Sequence, residues 1–337
     1  MLGTSRVRGI MINMPEKNEI CLSAEAFSRM KNLRYLINLN ARLIGNIDLP
    51  NELRLLNWYK YPLQSLPSNF QPEKLVALKM PSSNISRFGK GSTKLGTLKS
   101  MDFSGCEMLE EIPDFTGFPN LEKLFLRECS GLVGIHESVG YLEKLVTLTL
   151  QNCSNLTRFP TKLRLKSLKL LNMKGCRMLE SFPEIEAGTM VLENINLECC
   201  ENLRNLPRSI YELKHLQELE ENSENPSRVS HESHSSLVFP KLRDNMFVSL
   251  EWLILRDCKK LQEIPQLSPC IKGINTGGCK SLERFSKLSS ILEHNSQGSL
   301  QYSDLSNCHK LLKSLDFDVE KIASMLLSHS QTHQKST

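Results

Sequence analysis

The chain has no long apolar run, few aromatic residues and no block of like charge. No stretch among its 337 residues approaches the roughly 18 consecutive apolar residues of a membrane-spanning helix. Aromatics make up 6% of the chain, and 42 basic against 37 acidic residues give a net charge of +5 that is spread along the sequence. Nucleic-acid binding would require a dense basic patch interleaved with aromatics. We therefore expect neither membrane nor nucleic acid as a partner.

The beginning of the chain also lacks the pattern of a secretion signal. The segment MLGTSRVRGIMINMPEKNEI contains no sustained apolar stretch followed by small residues at a cleavage site. We expect a cytoplasmic protein, with the nucleus as a second candidate compartment.

Groups of residues that could carry catalysis or bind a metal are equally scarce. The segment GKGST at residues 89–93 is similar to a phosphate-binding loop, but Asn84 stands where that loop requires glycine. His231 and His234 lie in a polar segment without an apparent third metal ligand. We predict that the chain is not an enzyme and needs no cofactor or metal.

The chain does contain a cysteine that returns every 23 or 24 residues, at Cys106, Cys129, Cys153, Cys176 and Cys200. Around each lies the frame L-x-x-L-x-L-x-x-C with Leu, Ile or Met in the hydrophobic slots, as in LEKLFLREC at 121–129 and LVTLTLQNC at 145–153. The frame returns as LEWLILRDC at 250–258, and weakly at 271–279 and 300–308. A fixed period of this length predicts stacked repeats.

The frame also indicates how each repeat folds. Its L-x-L core has the alternation of a short strand whose leucines point inward, so Leu148 should be buried and Thr149 should face outward. Later apolar residues, often followed by proline, turn the chain back along the outer side. Neither half of a repeat can bury its apolar side alone. We predict an α/β leucine-rich-repeat solenoid with a concave parallel sheet and a mostly irregular or short helical convex side.

Three zones are expected along the chain. Residues 1–32 form a junction before the repeats, with a strand-like RVRGIMINM and a short helix from SAEAFSRM. The repeat array occupies residues 33–285 and is interrupted by a polar loop at 221–236. Residues 286–337 form a truncated post-repeat region with an amphipathic stretch at 316–327 and a disordered tail.

Most of the eleven cysteines are explained by the repeat phase. Phased cysteines of neighbouring repeats should lie about 5 Å apart, but their parallel Cβ vectors disfavour a disulfide. We expect small buried thiols that stay reduced. Of the adjacent pair Cys199 and Cys200, one should lie inside and one outside.

One segment goes beyond a generic repeat. The block L-R-x-L-x-W-x-x-Y-P-x-x-S-L-P-x-x-F is formed by Leu53, Arg54, Leu56, Trp58, Tyr61, Pro62, Ser65, Leu66, Pro67 and Phe70. This block resembles the first repeats of plant TIR-type nucleotide-binding leucine-rich-repeat disease-resistance proteins. LKSMDFSGCEMLEEIPDF is similar to the following repeats of that family, and SLERFSKLSSILEH is similar to the start of its post-repeat region.

The resemblance implies intracellular immune recognition. Family members carry a TIR domain, which cleaves NAD or signals by association, and a nucleotide-binding switch; the chain resembles the leucine-rich-repeat portion alone. The repeats would bind a pathogen effector, or a host protein that an effector has modified. They would also restrain the switch through the nucleotide-binding domain of the same receptor.

The expected contact residues lie on the concave face, between and just after the strand leucines. They are Tyr59, Lys60, Phe125, Arg127, Glu128, Gln151, Asn152, Lys174, Glu198, Trp252, Arg256 and Asp257. Because aromatic and arginine side chains dominate most interfaces, Phe125, Arg127, Trp252 and Arg256 should contribute most of the binding free energy.

Other classes of protein fit the sequence less well. An extracellular receptor would need a secretion signal, a membrane span and cysteine caps. An F-box-type ubiquitin-ligase adaptor also has cysteine-phased repeats, but the outer segments here end in Ile, Phe or Leu followed by Pro, unlike that class. The alternative function is a stand-alone leucine-rich-repeat scaffold or adaptor, such as a ubiquitin-ligase adaptor.

Overall fold

The chain divides into two compact units, which we call unit 1 (Met1–Leu168) and unit 2 (Lys169–Thr337). The computed structural model describes residues 6–14, 21–23, 27, 30–44, 48–87, 95–186, 191–200, 202–203, 206–221, 249–255, 258, 261–264, 266–288, 291 and 300–314.

Unit 1 contains a parallel sheet to which successive repeats each contribute one short strand. In spatial order these strands are β1 (Gly9–Ile12), β3 (Tyr35–Asn38), β5 (Leu55–Trp58), β6 (Ala77–Lys79), β7 (Ser100–Asp102), β9 (Lys123–Phe125) and β11 (Thr147–Thr149). The return segments hold β2 (Cys21–Ser23), β4 (Arg42–Ile44), β8 (Glu111–Ile112), β10 (Gly134–Ile135), β12 (Lys162–Leu163) and a 3-10 helix at Glu137–Tyr141. Strand β2 pairs with β4, and β8 pairs with β10.

Unit 2 repeats the same arrangement. Its parallel sheet contains β13 (Leu170–Asn172), β15 (Asn194–Asn196), β16 (Glu218–Glu221), β17 (Trp252–Leu255), β19 (Gly273–Asn275) and β21 (Tyr302–Asp304). The return segments hold β14 (Glu184–Ile185), β18 (Glu263–Ile264), β20 (Arg284–Phe285), a 3-10 helix at Arg208–Glu212 and helix α1 at His309–Ser314. None of the helices in the described ranges is both long and apolar enough to span a bilayer.

The centre of the core is a stack of inward side chains, one from each strand, held in register. In unit 1, Leu78, Met101, Leu124 and Leu148 are consecutive register partners, and all four are fully buried. The period-two alternation of the L-x-L core therefore folds as expected. This stacking confirms the leucine-rich-repeat solenoid with a parallel sheet and little helix.

The phased cysteines connect each repeat to the one before it. Six of the buried thiols each donate a hydrogen bond to a backbone carbonyl oxygen about one repeat earlier in the chain. The Sγ to O distances are 3.2 Å for Cys106 to Met80, 3.2 Å for Cys129 to Phe103, 2.9 Å for Cys153 to Leu126, 3.2 Å for Cys200 to Met173, 2.9 Å for Cys279 to Leu255 and 3.0 Å for Cys308 to Thr276. We call this series the cysteine ladder.

Burial favours the protonated form of two thiols of the ladder. Burial raises the pKa of Cys106 to about 12 and that of Cys308 to about 11. None of the ten cysteines whose side chains the structure describes forms a disulfide. Cys200 is buried whereas Cys199 is partly exposed, as the frame predicts.

The early repeats fill the cysteine position with other residues. Ser83 lies 23 residues before Cys106, and its hydroxyl accepts a hydrogen bond from the backbone N–H of Tyr61 at 2.8 Å. Tyr61 fills the position one repeat earlier and is fully buried. Its ring packs edge to face on Trp58 at 5.4 Å, and Trp58 packs in the same way on Phe27 at 6.2 Å. The W-x-x-Y part of the family block therefore forms an aromatic core beneath the first strands.

Sheet strands also occur on both sides of the expected array of residues 33–285. Strand β1 pairs in parallel with β3, and β21 pairs with β19. Most of the helix expected from Ser23, residues 222–236 of the polar loop, the stretch at 316–327 and the tail lie outside the described residues.

Candidate protein-binding surface

The side of the sheet opposite the leucine core carries the predicted contact residues. On each strand the residues that flank the buried central residue point to this side. In unit 1 we call this side of the sheet the strand face. It consists of the outward residues of the sheet strands from β3 to β11, together with one turn residue after some of these strands. Its members are Tyr35, Ile37, Leu55, Asn57, Tyr59, Ala77, Lys79, Ser100, Asp102, Lys123, Phe125, Arg127, Thr147, Thr149 and Gln151.

Two pairs, each of one cation and one aromatic ring, form on or beside the strand face. Nζ of Lys60 lies 5.2 Å from the ring centre of Tyr59, and the guanidinium carbon of Arg127 lies 5.8 Å from the ring centre of Phe125. Tyr59, Lys60 and Arg127 are exposed, and Phe125 is half-buried. Each cation is therefore held above a ring while its donors still reach solvent.

Three of the predicted residues belong to the turn that follows a strand. Lys60, Glu128 and Asn152 have φ values of 55°, 57° and 62°, in the left-handed region that favours glycine. The backbone N–H of Glu128 donates to the carbonyl oxygen of Gln151 at 2.7 Å, so stacking on the next repeat fixes this conformation. In other repeats the same turn position is occupied by Gly105, Gly175 and Gly278.

The predicted residues of unit 2 are described in part. Lys174 and Glu198 form an ion pair between neighbouring repeats, and the Glu198 side chain is only 15% exposed. Trp252 is half-buried on β17, and its register partner on β19 is Gly273. A Cβ atom on Gly273 would overlap with Cε3 and Cζ3 of the indole, so the ring lies on the glycine. Arg256 and Asp257 lie outside the described residues.

The expectation that Thr149 faces solvent is wrong. Thr149 does alternate with the buried Leu148, but its side chain is 0% exposed. Its register partner is Phe125, so a large ring stands beside it on the same face. Its Oγ1 has no hydrogen-bond partner within the described residues. Alternation thus predicts which way the side chain points, but the neighbouring side chains determine its exposure.

Sequence reasoning missed several outward residues. Met11 on β1 is 64% exposed and Tyr35 on β3 is 46% exposed. Lys79 and Lys123 occupy outward positions on β6 and β9. The period-two alternation is present in the sequence at all four positions, so it could have identified them.

Several lysines at the margin of the strand face form ion pairs, whereas cations on the strand face do not. Beside the strands, lysines pair with glutamates of a neighbouring repeat, as in Lys74 with Glu52 at 3.0 Å and Lys99 with Glu122 at 2.8 Å. Such exposed pairs contribute little to stability. In the described part of unit 1, by contrast, no carboxylate forms an ion pair with Lys79, Lys123 or Arg127. These cations remain available to a ligand.

Acidic groups on or beside this face are fewer. Asp102 lies between Lys79 and Phe125 in the register, and its carboxylate accepts a hydrogen bond from the backbone N–H of Ser104 at 3.0 Å. Glu128 is exposed in the next turn. Across the residues that the structure describes, no group of three or more His, Cys, Asp or Glu side chains is arranged to hold a metal ion.

The stacked strands and the repeat frame define a leucine-rich-repeat protein. The chain is 36% identical over 248 residues to the disease resistance protein RPP4 of Arabidopsis thaliana, covering 71% of this chain and 22% of that protein. It is 29% identical over 377 residues to the disease resistance protein RPS4B of the same plant, covering 98% of this chain and 32% of that protein. The TMV resistance protein N of Nicotiana glutinosa is 33% identical over 213 residues, covering 63% of this chain and 18% of that protein.

These relatives confirm the resemblance to plant TIR-type nucleotide-binding leucine-rich-repeat disease-resistance proteins. The chain spans about a fifth to a third of the length of these curated relatives. No family model matches it.

Solved structures also show a partial similarity to the chain. The leucine-rich repeat domain of the type III effector XopL aligns with a TM-score of 0.43 and 21% identity, covering 62% of this chain and 69% of that chain. The Arabidopsis receptor kinase HAESA aligns with a TM-score of 0.37 and 21% identity, covering 82% of this chain and 53% of that chain.

Proposed function

We propose that the chain is the sensor region of an intracellular plant immune receptor. In this proposal it binds a pathogen effector, or a host protein that an effector modifies, through the outward residues of its strands. It also restrains the receptor switch by contact with the nucleotide-binding domain of the same receptor. The receptor acts in the cytoplasm, with the nucleus as a second candidate compartment, and the repeat region is not itself catalytic.

One observation carries the proposal for the binding surface. The outward side chains alternate with fully buried core residues, so they can be exchanged without opening the core. A surface of this kind suits a family of receptors in which each member binds a different ligand. The homology to disease-resistance proteins supports immune recognition as the process.

The test is a quadruple alanine variant of Phe125, Arg127, Trp252 and Arg256 in the complete receptor. We expect it to lose recognition, because two contacts worth about 2 kcal/mol each change affinity by about three orders of magnitude. Leaf cells co-expressing the receptor with a collection of pathogen effectors would report recognition as cell death. A melting curve should show that the variant remains folded.

The matched control replaces four exposed residues that lie off the sheet, Met108, Tyr141, Lys162 and Met178, by alanine. We expect this control to signal like the unaltered receptor. Undiminished signalling by a folded quadruple variant would move the recognition site away from the strands. It would then favour the segment at 221–236 as the recognition site.

A further inference from the structure

Strand β9 and its turn place a cation, an aromatic ring and a second cation in one line. Lys123, Phe125 and Arg127 alternate with the buried Leu124 and Leu126, so all three side chains lie on the strand face. Successive outward residues on a strand are separated by roughly 7 Å. An extended peptide has the same spacing between alternate side chains, so it could contact all three positions at once.

The two cations differ in how they are held. The Arg127 guanidinium stacks over the Phe125 ring with its carbon 5.8 Å from the ring centre. A guanidinium in this position keeps its outer N–H groups free to bind both oxygens of a carboxylate. Lys123 is exposed at the other end of the line. Lys79 adds a third cation two strands away, across Asp102 from Phe125.

Some lysines at the margin of the same unit do have carboxylate partners, unlike these three cations. Lys99 and Lys166, at the margin of the same unit, each pair with a glutamate of a neighbouring repeat, at 2.8 and 2.7 Å. Within the described residues, Lys79, Lys123 and Arg127 have no carboxylate partner. The strand face therefore presents three cations without an ion pair, although the Asp102 carboxylate is the register neighbour of Lys79.

We propose that this part of the strand face binds an extended, acidic segment of a partner protein. Carboxylates of the segment pair with Lys123, Arg127 and Lys79, and an apolar side chain packs on Phe125. The inference rests on the proposed function, because it names the chemistry of the partner that the sensor region recognises. Carboxylates, rather than a general apolar contact, then determine which partners are accepted.

A protein segment fits this face better than a nucleic acid does. Asp102 lies among the cations and Glu128 follows them, so a strand of evenly spaced phosphates would meet repulsion at both positions. Phe125 is half-buried and Arg127 lies above its ring, so the part of the ring that stays accessible suits a small apolar side chain better than a base, which stacks over a whole ring. A peptide can place neutral residues opposite the two carboxylates.

The test is selection of random peptides displayed on phage against the immobilised full chain. We expect selected peptides to be rich in Asp and Glu around an apolar residue. Their affinity should fall as salt concentration rises. Replacement of Lys123 and Arg127 together by glutamate should weaken binding of the selected peptides at least a hundredfold, because each charge-assisted hydrogen bond is worth about tenfold or more in affinity.

The matched control is the double variant Lys162→Glu and Lys214→Glu, which makes the same change of charge at two exposed positions off the sheet. We expect it to bind the selected peptides as the unaltered chain does. Circular dichroism of both variants should show unchanged folding, because all four positions are exposed.

Each other outcome has a distinct meaning. Selected peptides that are not acidic but lose binding in Phe125→Ala would overturn the inference while the proposed function stands. If no selected peptide depends on Phe125, Lys123 or Arg127, both the inference and the proposed surface are wrong. Tighter, competing binding of a single-stranded oligothymidine would overturn the inference in favour of nucleic acid.

Discussion

At the scale of single residues, Thr149 places a hydroxyl group without a partner in a fully buried position of the described structure. An unsatisfied buried polar group costs about 1–3 kcal/mol. Its neighbour Thr147 lies on the same strand but is partly exposed, so water can satisfy its hydroxyl. Two threonines of one strand therefore differ in what their hydroxyl groups contribute to stability.

We predict that Thr149→Val raises the free energy of unfolding by about 1 kcal/mol, because it removes the unpaired hydroxyl and keeps the shape of the side chain. Thr147→Val should leave stability nearly unchanged. Urea unfolding of both variants, followed by circular dichroism, measures the difference. A loss of stability in Thr149→Val would mean that the hydroxyl has a partner, such as a buried water.

Gly273 lets the Trp252 ring approach the backbone closely, because the ring lies where a Cβ would be. We predict that Gly273→Ala displaces the indole towards solvent and shifts its fluorescence to longer wavelength. The only other tryptophan, Trp58, is 1% exposed and gives a constant background. Gly96→Ala is the control, since an added Cβ there meets nothing within 4 Å. An unshifted spectrum for Gly273→Ala would contradict the position of the ring.

At the scale of structural elements, the cysteine ladder connects consecutive repeats through side chains rather than through the sheet alone. The Cys106 thiol donates to the Met80 carbonyl at 3.2 Å, 26 residues earlier in the chain. A protonated thiol is required for this donation. The raised pKa of Cys106 is consistent with that requirement, since burial favours the neutral form.

The ladder should make stability sensitive to alkaline pH. Burial raises the pKa of Cys106 from its ordinary value of 9.0 to about 12, so the folded state holds the proton more tightly than the unfolded state. The stability due to the protonated thiol is therefore fully present below pH 9 and is lost as pH rises towards 12. We predict that Cys106→Ala loses less stability than the unaltered chain over this range.

Urea unfolding at a series of pH values measures this difference. Cys270→Ala is the control, because Cys270 is exposed and has no hydrogen bond from its thiol in the described structure. It should follow the unaltered chain at every pH. Parallel curves for Cys106→Ala and the unaltered chain would show that the thiol does not contribute to the alkaline loss of stability.

At the scale of the whole molecule, each repeat contacts mainly the repeats before and after it, so stability should be nearly additive over repeats. Residues 121–144 form one repeat period, from Leu121 to the residue before Leu145. If they are removed, the next repeat can stack on the preceding one in the same register. Cys153 would then donate to the Phe103 carbonyl, which accepts from Cys129 in the intact chain.

We predict that a chain lacking residues 121–144 still folds and has a smaller free energy of unfolding. A chain lacking only residues 121–132 should unfold, because the deletion ends in mid-repeat and leaves a strand without its return segment. Circular dichroism and urea unfolding distinguish the two. Equal loss of structure in both chains would mean that the repeats are not interchangeable units.

The sequence predicts the fold through residues whose environment repeats. Leu124, Leu148 and Cys129 lie at positions of the frame that have equivalent neighbours in successive repeats, so their burial follows from the frame. The exposure of Thr149 was not predictable in this way, because it depends on the size of side chains in adjacent repeats. Tyr61 and Ser83 occupy the position that is cysteine in later repeats. Because neither is a cysteine, only the strand register shows that their positions are equivalent to it.

The candidate surface was predictable to a lesser degree. Alternation predicts which residues point away from the core, and Phe125, Arg127 and Tyr59 do so. The pairing of Arg127 with Phe125 and of Lys174 with Glu198 depends on side-chain conformations that no sequence pattern specifies. The contact of the Trp252 indole with Gly273 could be predicted only from the register of β17 and β19.

The left-handed turn that follows β5, β6, β7, β9 and β11 has a consequence for how such chains diversify. Its backbone shape is imposed by a hydrogen bond to the next repeat, as for Glu128 to Gln151 and Gly105 to Arg127 at 2.6 Å. Non-glycine residues there cost of order 1–3 kcal/mol each, whereas glycine costs little. A lineage can therefore exchange glycine for a charged or polar residue beside the outward strand residues without altering the backbone. The number of such exchanges that it retains is limited by the stability of the remaining repeats.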